Sequence, residues 1–148
     1  MKIKTKFFGE IEVEEKKIIR FPNGIIGFED LKTFVLIDHP GSDVIKWLQS
    51  ANERDFAIPV LDPTSFFPNY SPALGESDLK SLKLSSLEDA VVLTVLTVPK
   101  NPENSTVNLK APIVLNPIER LGAQLIAENS EYLVKHPVSL FAKSEKER

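Results

Sequence analysis

The sequence contains no cysteine, one methionine, one tryptophan and two histidines in 148 residues. Without cysteine there is no disulfide framework, no thiolate nucleophile and no Cys-based zinc site, and such a chain suits a reducing compartment. His39 and His136 each precede a proline, which places both at exposed turns rather than beside a nucleophile. No serine occupies a Gly-x-Ser-x-Gly elbow, and no phosphate-binding or dinucleotide loop is present. Neither a His-x-x-x-His pair nor clustered aspartates mark a metal site. Catalysis, a bound cofactor and a small-molecule substrate are therefore not expected.

Long apolar runs are missing too. The longest, residues 90–98, has nine residues, against roughly twenty for a membrane-spanning helix, so it reads as a buried strand. The N-terminus begins basic, but Glu10 arrives before a signal-peptide core can form, and the expected location is cytoplasmic. A basic stripe is also lacking. Net charge is -3, and residues 51–100 carry seven acidic side chains against four basic ones, so direct nucleic-acid binding is disfavoured. The Gly24-Ile25-Ile26-Gly27 run has the form of an RNA-clamping loop, yet its interior is apolar and it follows a strand-like segment.

What is present is a series of short alternating or β-branched segments separated by turn residues. Residues 2–7 and 11–14 alternate and read as a hairpin, with residues 8–10 as the connection, Phe7 opposite Ile11 and Lys6 opposite Glu12. Further strands are expected at 17–21, 33–37, 44–49, 56–61, 90–98, 105–110, 111–116, 123–127 and 131–134. Pro59 cannot donate a ladder hydrogen bond and marks an edge or a bulge. Residues 76–82, with Glu76 and Asp78 in the first turn, are the best helix candidate. The pattern predicts a mainly β, single-domain, barrel-like fold of short antiparallel strands with one or two short helices. That domain is expected to span residues 1–141, with 142–148 as a charged, disordered tail.

Three segments stand out in order. They are Phe21-Pro22-Asn23-Gly24-Ile25-Ile26-Gly27-Phe28-Glu29, then Ile58-Pro59-Val60-Leu61-Asp62-Pro63, then Val107-Asn108-Leu109-Lys110-Ala111-Pro112-Ile113-Val114-Leu115-Asn116. Together they resemble the flagellar assembly factor family FliW, over nearly the whole chain up to about Val138. The resemblance implies a small cytoplasmic β-barrel protein with two protein partners. One is the translational repressor CsrA, whose silencing of flagellin mRNA it relieves; the other is unassembled flagellin, which competes for it. An RNA-binding barrel acting directly on translation is the alternative.

Residues for such contacts can be nominated on physical grounds. Ile25, Ile26 and Phe28 sit on a Pro- and Gly-stiffened turn, either plugging the barrel end or forming a preordered docking surface. Phe66, Phe67 and Tyr70 lie in a proline-rich loop, as core cover or as contact anchors. Asp62, Glu76 and Asp78 carry the sign that would steer a basic partner, although a plain solvated face is the readier explanation for them.

Overall fold

The computed structural model describes residues 1–138, so the expected tail at 142–148 and the end of the expected domain lie outside the described residues. Among the described residues eleven strands form: β1 Lys2–Thr5, β2 Gly9–Glu12, β3 Ile19–Arg20, β4 Thr33–Asp38, β5 Ile45–Ser50, β6 Ala57–Leu61, β7 Val91–Thr97, β8 Thr106–Val107, β9 Ile113–Asn116, β10 Leu121–Gln124 and β11 His136–Pro137. One α-helix, α1 Glu76–Ser81, matches the expected position.

Strands β7, β6, β5, β4, β3, β10 and β9 pair in that order, and β9 returns to β7 through Val91↔Leu115, Val92↔Val114 and Leu93↔Ile113. The result is a closed seven-stranded barrel. Closure removes the free edges that an open sheet would expose. All but one of its pairings are antiparallel; β3 and β10 run parallel at Arg20↔Leu121. Strand alternation sends Phe34, Leu48, Val60, Leu93, Ile113 and Leu115 inward, where they pack with Phe21, Ile25 and Phe56. Each such burial contributes about 1.5–3 kcal/mol. Three smaller apolar clusters cover the outside: the β1–β2 hairpin on Val35, α1 against Val114 and Leu121, and the 62–70 loop against Leu61, Leu96 and Leu109.

Several local expectations are corrected. The hairpin pairs Ile3 with Ile11 and Lys4 with Glu10, so the register differs from the expected one by four residues and the faces are preserved. Gly9 sets it: its φ of +67° supplies the left-handed residue that closes the turn, and the Thr5 hydroxyl donates to its carbonyl at 2.7 Å. Phe7 therefore sits in the turn, with its ring 4.5 Å from that of Trp47. Pro59 is not on an edge strand, since β6 has β5 and β7 on either side, but the β7 ladder reaches only Val60 and Leu61 and leaves the proline beyond it. Residues 131–134 form a turn rather than a strand, and the last pairing comes from β11 against β8.

Candidate partner-binding surface

The loop that follows β3 begins with Phe21, fully buried in the barrel. Phe21 fits because Gly122 lies against its ring: a Cβ there would meet ring carbons at 2.6 Å. The backbone then turns sharply. The Gly24 amide donates to the Phe21 carbonyl at 2.9 Å, and Gly24 adopts φ +65° where a Cβ would meet the Glu29 backbone at 2.6 Å. A second turn pairs Ile25 with Phe28, the Phe28 amide donating to the Ile25 carbonyl at 2.7 Å, with Gly27 at φ +89°. The Ile26 amide donates to the Gln124 side chain at 3.0 Å, which ties the tip to β10.

This geometry splits the first group of candidates. Ile25 is 4% exposed and belongs to the barrel core, which is the plugging arrangement of the two expected for it: the turn directs it inward. Ile26 at 56% and Phe28 at 51% point outward. Phe28 is held edge-on to Phe56 with ring centroids 4.6 Å apart.

The second group divides in the opposite sense. Tyr70 is 9% exposed, and its hydroxyl donates to the Leu109 carbonyl at 2.8 Å, so of its two expected places it takes that of core cover. Burial, with Tyr132 beside it, holds the phenol well above its ordinary pKa. Phe66 and Phe67 are half-buried against the same cluster. Asp62 accepts from the Thr64 amide at 2.9 Å and the Thr64 hydroxyl at 2.7 Å, capping the short 3-10 turn at Pro63–Ser65. Its carboxylate is exposed but committed to that cap. Glu76 is exposed and Asp78 half-exposed on α1.

The two loops nonetheless converge on the third sequence segment. Tyr70 of the second loop bonds Leu109, while Gln124, which holds Ile26 of the first loop, donates to the Ala111 carbonyl at 3.1 Å. Both loops thus hang on the strip at residues 109–111, from two different clusters.

The histidines are not simple exposed turn residues. His39 accepts from the Trp47 indole at 2.9 Å and is half-buried. His136 lies in β11 with its ring edge-on to Phe67 at 5.0 Å. Among the described residues no group of three or more His, Asp or Glu side chains is placed to hold a metal ion, and no helix is long and apolar enough to cross a membrane.

Sequence reasoning missed one feature. Leu31 and Phe56 flank Phe28, with Glu29, Asp30, Glu53 and Asp55 around them, lining a groove of about 640 Å³. A signal was present: Phe28-Glu29-Asp30-Leu31 and Glu53-Arg54-Asp55-Phe56 each set two carboxylates between or beside apolar side chains. Only the fold shows that the two segments face each other.

Comparison with known proteins decides the family. The sequence model of a family described as "FliW protein" matches residues 2–138. The chain belongs to the FliW family. It is 43% identical to the flagellar assembly factor FliW of Natranaerobius thermophilus, with 93% of this chain and 92% of that protein covered. To the protein of the same description from Lachnospira eligens it is 44% identical, covering 98% and 99%. A crystal structure of a flagellar assembly factor FliW superposes with a TM-score of 0.85 at 39% identity, covering 93% of this chain and 96% of that one. The barrel is therefore the family's fold, and the family is one of flagellar assembly factors.

Proposed function

We propose that the protein acts by binding other proteins, in the cytoplasm and without catalysis: it captures CsrA, relieving repression of flagellin mRNA, and flagellin competes for it. Membership of the FliW family over nearly the whole chain is the observation that carries this reading. Physical features agree with it. Ile26 and Phe28 stand exposed on a loop whose backbone is already fixed, so little ordering accompanies docking. Phe66 and Phe67 present half-exposed rings on the second loop, and Glu76 and Asp78 add negative charge at α1. CsrA exposes basic RNA-binding surfaces, so an acidic protein is steered toward it.

Calorimetric titration with purified CsrA and flagellin tests the proposal. Saturable binding to each, with flagellin displacing CsrA, is the expected result. Binding to neither by folded protein sinks it, and a mobility shift of flagellin mRNA by this protein alone would favour direct RNA binding instead.

A further inference from the structure

The groove between residues 27–31 and 53–56 has a floor and a rim of opposite character. Phe28, Leu31 and Phe56 form an apolar floor, with the Phe28 ring half-exposed. Glu29, Asp30, Glu53 and Asp55 surround it, all exposed. The nearby cations neutralise this rim only at Asp55. Arg54 pairs with Asp55 at 3.3 Å, and the Lys32 ammonium donates to the Pro22 carbonyl at 3.0 Å. Among the described residues no cation lies within ion-pair distance of Glu29, Asp30 or Glu53. Both walls are anchored: the Leu31 amide donates to the Phe28 carbonyl at 3.1 Å, and the Ser50 amide to the Phe56 carbonyl at 2.9 Å.

We infer that this groove docks a basic segment of a partner protein that presents a bulky apolar side chain between lysines or arginines. The apolar floor rewards burial of that side chain, as a preformed pocket does for a hot-spot anchor. The rim dictates the flanking charge. An uncharged apolar segment would strip water from carboxylates without replacing it, an acidic one would be repelled, and a nucleic-acid backbone has the wrong sign. A cation beside Phe28 also gains from the ring face. The inference adds a site and a ligand chemistry to the function proposed above, and it stands whether or not CsrA and flagellin are the partners.

The test uses the full chain, isotope-labelled for NMR, and three synthetic peptides of equal length: Lys/Leu amphipathic, Lys/Ser and Glu/Leu. The Lys/Leu peptide is expected to give saturable shifts centred on residues 27–31 and 53–56, to bind at least tenfold more tightly than the other two, and to weaken as salt rises. Phe28→Ala and, separately, Glu29→Gln with Asp30→Asn are each expected to reduce that affinity severalfold. The second variant removes exposed charge alone, so a folding defect does not obscure it. Equal binding of Lys/Ser would show that charge alone acts, and equal binding of Glu/Leu that apolar contact alone acts; either overturns the inference. So does an absence of binding, a set of shifts elsewhere, or self-association of the chain through the same residues without peptide.

Discussion

The loop at residues 21–28 and the loop at residues 62–70 are both stiffened by proline and rich in apolar side chains, yet they dispose of those side chains differently. In the first, backbone hydrogen bonds and two left-handed glycines hold the chain, and Phe21 and Ile25 suffice as anchors. Ile26 and Phe28 are left free to face outward. In the second, backbone turns hold the chain too, the Phe67 amide donating to the Pro63 carbonyl at 2.8 Å and the Tyr70 amide to the Phe67 carbonyl at 2.9 Å, but its large side chains turn back onto the barrel: Tyr70 bonds Leu109, Phe66 and Phe67 pack on the outer cluster, and Asp62 caps the first turn. Both backbones are fixed by turns, and the loops differ in where their large apolar groups end: outward at Ile26 and Phe28, and against the outer cluster at Phe66, Phe67 and Tyr70.

That contrast can be broken at several points. The largest effect is expected from Gly24→Ala, because a Cβ there meets the Glu29 backbone at 2.6 Å and the φ of +65° is left-handed. Overpacking and backbone strain together should destabilise the fold by about 3 kcal/mol. Gly27→Ala, at φ +89° but with nothing within 4 Å, should lose only about 1 kcal/mol. Urea denaturation separates the two, and equal losses would show that close backbone packing does not anchor the first loop.

Tyr70→Phe leaves the Leu109 carbonyl without its partner and should cost about 1–2 kcal/mol, with partner affinity unchanged. A pH dependence accompanies it. The Tyr70 pKa is raised in the folded state, chiefly by burial, so the phenol's contribution is complete below its ordinary pKa of about 10 and lost as pH rises above it. Thermal melts should therefore fall more steeply above that pH in the wild type than in Tyr70→Phe. Phe28→Ala is the converse case: about 1 kcal/mol of stability from the lost ring contact with Phe56, but a tenfold or greater loss of partner affinity by calorimetry. The smallest effect is expected from Glu76→Gln with Asp78→Asn, which should slow association with CsrA about twofold at low salt and not at high salt. Stopped-flow rates at two ionic strengths measure it.

Much of this fold is legible in the sequence, since β-branched residues and alternation mark β4, β5, β6 and β7 within a residue or two. The barrel's closure is not, because β7–β9 pairing joins strands whose connection carries no register signal. The hairpin register shows why local patterns mislead: a shift of four residues keeps every side chain on its face, and only the glycine turn distinguishes the alternatives. The candidate surface was half legible. Apolar residues on a turn identify Ile25, Ile26 and Phe28 together, whereas their separation into inside and outside becomes visible only with the turn that pairs Ile25 with Phe28. The groove at Phe56 depends on two distant turns meeting, which no spacing reveals.

The central claim is that one protein serves two mutually exclusive partners, and a competition titration tests it most directly. The protein, saturated with flagellin and then titrated with CsrA, is predicted to show CsrA binding weakened in proportion to the flagellin present. Undiminished CsrA binding to the flagellin-saturated protein, or binding of neither partner, would contradict the account.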